Sequence, residues 1–121
     1  MTFRMTEQAY LVLLALAQEP RHGYGVVRAV TELSDGAVTL SAGTLYGVLD
    51  RLVSAGYAEA SGEVIVDGRL RRYYRLADPG HDALAAETAR LRALARRAQR
   101  VLLDGRAGRP ALGSRPALGG A

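Results

Sequence analysis

A change of hydrophobic period near residue 57 constrains this fold more than any other feature of the sequence. Before it, apolar residues recur every three or four positions, whereas residues 57–76 read YAEASGEVIV, then Asp67-Gly68, then RLRRYYRL. An Asp-Gly pair tolerates the positive φ angles that two-residue hairpin turns require. We therefore predict two antiparallel strands joined at this pair. A two-residue turn also predicts the strand register, with Glu63 opposite Arg72 and Val64 opposite Arg71.

Three helical segments precede the hairpin. The first is predicted to begin after Thr6, a good N-cap residue, and it contains the run AYLVLLALA, which is apolar on almost every side and is expected to be buried. The second runs roughly from His22 to Ser34 and ends before the turn-forming pair Asp35-Gly36. Helical spacing predicts that its core face consists of Tyr24, Val27, Val30 and Leu33.

The third helix is predicted to begin after the N-cap Ser41 and to end at Gly56, a residue suited to terminate a helix. Its opposite face is polar and includes Thr44 and Arg51. The predicted core face follows helical spacing and consists of Leu45, Val48, Leu49, Leu52 and Val53.

A long helix is predicted after the hairpin, with Asp78 as its N-cap and Pro79 at its first position, where the missing N–H has no cost. About 25 residues at ~1.5 Å each give ~37 Å, which exceeds the ~25 to 30 Å breadth of so small a domain. We therefore expect part of this helix to bind the same helix of a second copy in a two-fold dimer. The predicted seam recurs at three- and four-residue spacing and consists of Leu84, Leu91, Leu94, Ala98, Val101 and Leu102.

In this order the elements predict a mainly α fold with a small β-hairpin. We assign residues 1–77 to a winged helix-turn-helix DNA-binding domain, residues 78–104 to a dimerisation helix, and residues 105–121 to an Arg/Gly/Pro/Ala tail. The tail contains RPALG twice and is expected to be disordered. It carries three arginines and no acidic residue, so it accounts for most of the net charge of +4.

Positive charge in the folded part is concentrated on the second strand of the hairpin. The segment RLRRYYR, residues 69–75, holds four arginines and no carboxylate. The first strand supplies only two acidic residues, Glu59 and Glu63, so a positive surplus remains that suits a phosphate-rich partner. The N-terminal end of the third helix offers free backbone N–H groups for phosphate and the side chains of Ser41, Thr44 and Tyr46 for polar contacts.

Other chemistries find little support in the sequence. The chain has no Cys, its two His are far apart, and neither a phosphate-binding loop nor a nucleophile motif is present. We therefore expect no enzyme activity, no cofactor and no metal. No stretch has the length and apolarity of a membrane span, and the first residues lack the layout of a signal peptide. The expected location is the cytoplasm, with nucleoid association when the protein is bound to DNA and no membrane partner.

Three separated strings resemble the PadR family of bacterial transcriptional regulators. They are PRHGY at residues 20–24, LSAGTLY at residues 40–46 and GRLRRYYRL at residues 68–76. The resemblance implies a winged-helix homodimer that represses promoters and is often released by a small hydrophobic or aromatic effector, here of unknown identity. It also implies DNA contacts from the third helix and the hairpin, which fall on Ser41, Thr44, Tyr46, Arg51, Arg69, Arg71 and Arg72, with Tyr24 as a contact to the DNA backbone.

The sequence therefore predicts a homodimeric repressor of a nearby operon that binds double-stranded DNA at a pseudo-palindromic operator. One alternative from another class stays open at this point. A winged helix also serves as a protein–protein interaction module without sequence-specific DNA binding. The dense positive charge of the hairpin favours DNA, because protein interfaces are usually depleted of such charge at their centre.

Overall fold

The structure is a computed structural model, and it describes residues 3–107 of the 121-residue chain. Four helices and a three-stranded antiparallel sheet form the described fold, which confirms the predicted winged helix-turn-helix with a long C-terminal helix. No helix of this described part is long and apolar enough to cross a membrane. The elements in chain order are α1 (Glu7–Gln18), β1 (Arg21–His22), α2 (Gly23–Leu33), α3 (Ala42–Ser54), β2 (Ala58–Val66), β3 (Arg69–Leu76) and α4 (Asp78–Ala107).

The chain divides into two compact units. The first ends at Thr88 and contains every element up to the first part of α4, and the second begins at Ala89 and contains the rest of α4. The helix ends at Ala107 instead of the predicted residue 104, so residues 105–107 are helical. The remainder of the predicted tail, residues 108–121, lies outside the described residues.

Helix α1 supplies the centre of the first unit. Thr6 caps it as predicted, because its hydroxyl oxygen accepts a hydrogen bond of 3.1 Å from the Ala9 N–H group. The apolar run that follows is buried on most sides and packs against the inner faces of α2 and α3. The other buried apolar side chains come mainly from α2 and α3, and they include Val26, Val30, Leu45, Val48, Leu49 and Leu52.

The core face of α2 differs from the prediction. Its buried residues are Gly23, Val26, Ala29 and Val30, whereas the predicted face residues Tyr24 and Leu33 are exposed. The other two predicted residues do face the core, since Val30 is buried and Val27 packs against the core cluster, so the prediction is only partly right. Val53 at the end of α3 was also expected in the core and is instead exposed.

The hairpin agrees closely with the sequence. Asp67 and Gly68 both have positive φ, at 50° and 75°, as a two-residue turn requires. The predicted pairs, Glu63 with Arg72 and Val64 with Arg71, are confirmed. Two features were not predicted. A bulge interrupts β2 between Ala60 and Gly62, and a two-residue strand, β1, pairs with the far edge of β3 to give the order β1-β3-β2.

The start of α4 is fixed by contacts to the residue before β2. The Ala77 carbonyl accepts from the His81 N–H group at 2.9 Å, so Ala77, and not the predicted Asp78, takes the N-cap position. Helix α4 thus begins one residue earlier than predicted, with Asp78 in its first turn. The Ala77 N–H group donates to the Tyr57 carbonyl at 3.0 Å. Gly80 is buried against the same carbonyl.

Leu84 was predicted in the dimer seam, but the structure places it in the chain's own core. It is only 7% exposed and packs with the other buried apolar residues of the first unit. Nearby, the Tyr10 hydroxyl and the Thr88 hydroxyl are hydrogen-bonded at 2.7 Å, which ties α1 to the first part of α4. Because almost none of its surface is exposed, Leu84 cannot contact a second copy, and it does not belong to the dimer seam.

Candidate nucleic-acid interface

The N-terminal end of α3 is exposed and capped as the sequence predicted. The Ser41 hydroxyl accepts from the Thr44 N–H group at 3.2 Å and donates to the Thr44 hydroxyl oxygen at 3.0 Å. The hydroxyl of Ser41 is therefore committed to the cap, whereas the Thr44 hydroxyl still has its own hydrogen to donate. Both residues lie on the solvent side of the helix.

Tyr46 joins this end of α3 to the start of α2. A side chain at Gly23 would place its Cβ atom 2.5 Å from the Tyr46 hydroxyl oxygen and 3.0 Å from the ring carbon that bears it. The phenol therefore lies across Gly23, while about half of the Tyr46 side chain stays exposed. This close approach explains why the first residue of α2 is small, and it brings the polar ends of the two helices onto one surface.

Arg51 lies at the margin of that surface. It follows Ser41 by ten residues, which is about 15 Å along the helix. Its guanidinium reaches back toward Gly47, where a Cβ atom would be 3.9 Å from one of its nitrogens. Arg51 also lines an open groove of about 800 Å³, whose other lining residues are Phe3, Arg4, Thr6, Asp50, Ser54, Ala55 and Tyr57. No sequence pattern predicts this groove, because residues distant in the chain form it.

The arginines of the hairpin do not share one face. Residues alternate along a strand, so Arg69, Arg71 and Arg75 lie on one face of β3 and Arg72 on the other, with the buried Tyr74. We call the face that carries Arg69, Arg71 and Arg75 the outer face. The three arginines predicted to touch DNA are thus divided, with Arg69 and Arg71 outside and Arg72 on the core side.

Ion pairs neutralise two of the four arginines. Arg72 pairs with Glu63 at 3.9 Å, and Arg75 pairs with Glu59 at 3.2 Å. Across residues 3–107, neither Arg69 nor Arg71 forms an ion pair. The positive surplus that the sequence predicted for this hairpin is therefore carried by two side chains on its outer face.

A group of aromatic rings connects the hairpin to the start of α2. The His22 ring stacks on Tyr24 with 6.5 Å between ring centroids, and it meets Tyr73 edge-on at 5.2 Å. The Arg28 guanidinium lies 5.9 Å from the centre of the exposed Tyr24 ring. Sequence reasoning missed Arg28 and Tyr73, although the four-residue spacing of Tyr24 and Arg28 on one helix could have suggested the first.

His22 caps α2. Its Nδ1 atom accepts from the Gly25 N–H group at 3.4 Å. Burial, and to a lesser degree the positive charge of Arg71, lower the pKa of His22 below its ordinary value. Both effects favour the neutral ring, and only an unprotonated Nδ1 atom can accept the capping hydrogen bond.

This arrangement predicts a pH-dependent stability. Because the pKa of His22 is lower in the folded chain than the ordinary ~6.5 of the unfolded chain, its contribution is complete above about pH 6.5 and is lost as the pH falls through the folded value. We expect His22→Asn, which keeps a capping oxygen but does not titrate, to lose less Tm than wild type between pH 7.5 and 5.0. Circular dichroism measures the two Tm values at each pH. Parallel pH curves for the two proteins would show that His22 has no such role.

A helix-turn-helix unit with an exposed, capped third helix and a basic hairpin defines the class of winged-helix regulators. Comparison with known proteins specifies the family within that class. The Transcriptional regulator PadR-like family model matches residues 12–86, and the chain belongs to this family. It is a family of transcription regulators and not of enzymes.

Similar proteins that are transcriptional regulators support this family assignment. A transcriptional regulator of Mycobacterium tuberculosis is 43% identical over 65 residues, which cover 54% of this chain and 60% of that protein. The chain thus spans less than two thirds of the length of the curated relatives it matches. The structure of a PadR family transcriptional regulator from Eggerthella lenta is 31% identical with a TM-score of 0.62, and the match covers 78% of this chain and 83% of that one.

Two more distant structures share the fold. A PadR family regulator from Clostridium difficile has a TM-score of 0.68 at 21% identity, with 80% of this chain and 99% of that chain covered. Bacillus subtilis PadR, solved in complex with operator DNA, has a TM-score of 0.61 at 19% identity, and the match covers 70% of this chain and 48% of that chain.

Proposed function

We propose that this transcriptional regulator binds a specific DNA sequence through α3 and the hairpin, and that it represses a nearby operon as a homodimer. The observation that carries this proposal is the pair of outer-face arginines, Arg69 and Arg71, which have no acidic partner among the described residues. Arg69 is exposed, and Arg71 is half-buried with its Nε atom buried and without a hydrogen-bond partner. Guanidinium groups that are not neutralised by a carboxylate suit phosphate. The Bacillus subtilis relative, which was solved with operator DNA, supports DNA as the partner.

The proposed contacts fall into two groups. Thr44 and Tyr46 project from the exposed end of α3, where a recognition helix reads base edges or backbone in the major groove. Ser41 acts through the cap that orients the free N–H groups of this end. The other proposed contacts are to phosphate, and they come from Tyr24, Arg51, Arg69, Arg71 and Arg72, the last of which has to exchange its long ion pair with Glu63.

The homodimer is proposed to form through the part of α4 after Thr88. Leu94, Val101 and Leu102 are large apolar side chains that are exposed in the single chain. Exposed apolar residues at helical spacing are typical of a helix that binds another helix. With Leu84 removed, the proposed seam consists of Leu91, Leu94, Ala98, Val101 and Leu102. Two-fold symmetry would present two α3 helices to half-sites about one turn, ~34 Å, apart.

Release by a small hydrophobic or aromatic effector belongs to the same proposal. Such a ligand acts only if it binds more tightly to a dimer whose two hairpins do not match the spacing of the operator. Repression itself would follow from occupation of the promoter. The alternative function, a protein-binding module, is disfavoured because it leaves the charge of Arg69 and Arg71 unexplained.

The contribution of the outer face is tested by replacing Arg69 and Arg71 together with alanine. We expect binding to a duplex from upstream of the protein's own gene to weaken about 10²- to 10⁴-fold, since each of the two lost hydrogen bonds to a charged group contributes ~1.5 to 3 kcal/mol. The slope of log affinity against log salt should fall by about two, one for each phosphate that the variant no longer neutralises. Fluorescence anisotropy at several salt concentrations measures both quantities.

Arg75→Ala is the matched control, because Arg75 shares the outer face but is already paired with Glu59. It should change the slope less than the double variant does. An unchanged slope for the double variant would remove both arginines from the contact surface. Equal affinity of the wild type for the upstream duplex and for a scrambled duplex at moderate salt would favour the protein-binding module instead.

A further inference from the structure

The far end of the hairpin carries apolar side chains that the fold does not use. Ile65 and Leu70 are 72% and 65% exposed, and the register places them directly opposite each other, two residues from the turn on each strand. Neither belongs to the core cluster or packs against it, whereas Tyr74 and Leu76 at the base of β3 do. We call Ile65 and Leu70 the tip pair.

Packing between the two strands explains the tip pair only in part. A directly opposed apolar pair stabilises a hairpin modestly, but that role does not need two of the largest aliphatic side chains left mostly in water. Val64 is also half exposed, but it lies on the outer face with Arg71 and is not part of the tip pair. An exposed apolar patch of this kind is typical of a surface that binds a partner.

The charge around the tip pair indicates which partner it meets. Arg69 and Arg71 flank Leu70 along β3 and have no ion pair among the described residues, but their side chains lie on the opposite, outer face. Arg72 lies on the same face as the tip pair. The acidic side chains at this end are Glu63, which is paired with Arg72, and the turn residue Asp67. A hairpin end with an apolar pair on one face and two unpaired arginines on the other is complementary to DNA, whose apolar base stack lies between two rows of phosphates.

We propose that the tip pair is an apolar wedge that enters the minor groove and partly unstacks one base step, while Arg69 and Arg71 bind the adjacent phosphates. This inference rests on the proposed function. With α3 in the major groove, the hairpin is left to contact a neighbouring groove. The minor groove is only ~6 Å wide, so it admits side chains from the tip and excludes the body of a two-stranded ribbon. Aliphatic wedges inserted there kink the duplex by ~20 to 90°.

The proposed wedge predicts two properties of the bound DNA. The complex should contain bent DNA, with the bend centred under each hairpin tip. The base step there should be a flexible pyrimidine–purine step, such as TA or CA, because these steps unstack most easily. The tip pair would thus contribute to sequence preference without any hydrogen bond to a base.

The test uses the full chain and a duplex that the wild type has selected from a random library. Bend angle is measured by energy transfer between dyes at the duplex ends, and affinity by anisotropy. The double variant I65A/L70A is expected to lose at least half of the bend and about 10-fold in affinity, with an unchanged salt slope because no charge is removed. The single variant V64A is the matched control, since it truncates an exposed apolar residue on the opposite face, and it should retain the bend.

A second measurement changes the DNA, and its result for the wild type does not depend on whether the variant hairpin folds. Replacing the flexible step under the tip with an A-tract should weaken wild-type binding about 10-fold and should have little effect on I65A/L70A. Full bending and affinity in I65A/L70A, a wild-type complex with straight DNA, or a change of oligomeric state in I65A/L70A would each overturn the wedge. If the wild type selects no sequence at all, the proposed function itself has failed, which is a different result.

Discussion

Replacing Leu94 and Val101 together with glutamate should produce a monomer that binds its operator 10²- to 10⁴-fold more weakly than the wild type does. Both side chains are exposed in the single chain and lie seven residues apart on the proposed seam of α4. A charge buried in an apolar helix–helix contact is costly unless it is paired. A monomer also cannot bind the second half-site, which in the dimer benefits from a high effective concentration. Light scattering measures the mass in solution, and anisotropy measures the affinity.

The double variant Q99E/L103E is the matched control. It adds the same two negative charges to α4 and also removes one exposed leucine. At 100° per residue, however, Gln99 and Leu103 lie well away from the seam. This control is expected to stay dimeric and to bind DNA with at most a small loss. If L94E/V101E remains a dimer, or if both variants lose binding equally, the seam is not the dimer contact.

Gly80→Ala is expected to lower the free energy of unfolding by about 3 kcal/mol, which corresponds to a Tm decrease of more than ~10 °C. The added Cβ atom would collide with the Tyr57 carbonyl oxygen and would lie 2.8 Å from its carbon and 3.0 Å from a methyl group of Leu76. Backbone atoms cannot move aside as a flexible side chain does. Moving α4 instead would break the hydrogen bond from Ala77 to the same carbonyl.

Gly105→Ala provides the control for this substitution in the same helix. A Cβ atom at Gly105 meets nothing within 4 Å, so alanine there should leave the Tm unchanged or raise it slightly through its better helix propensity. Thermal unfolding followed by circular dichroism compares the two. A Gly80→Ala protein as stable as the wild type would mean that the start of α4 does not pack on Tyr57.

The sequence predicted those parts of the fold that depend on short-range chemistry. Thr6 and Ser41 cap their helices because hydroxyls satisfy free N–H groups locally, and Asp67-Gly68 determined the register of the whole hairpin. Sequence reasoning also found the positive surplus of β3, since counting charges in paired strands needs no tertiary structure. Each of these signals depends on residues that lie near one another along the chain.

The errors arose where contacts between distant residues decide the outcome. The face of α2 is set by Tyr46 lying over Gly23, which leaves Tyr24 exposed, and no periodicity within α2 shows this. Leu84 fits the spacing of the seam but is buried inside its own unit. Strand β1 has only two residues, too few for any period to be detected. At the candidate site, the contact of Tyr73 with His22 and the groove beside Arg51 became visible only once separate elements were brought together.

Selection of binding sites from a random DNA library with the full chain tests sequence-specific binding by a two-fold dimer most directly. The proposed function predicts enrichment of a pseudo-palindrome whose two half-sites are centred about 10 base pairs apart, with the half-sites protected together at a stoichiometry of two chains per duplex. No enrichment over the starting library at moderate salt, or enrichment of a single half-site bound by one chain, would contradict it.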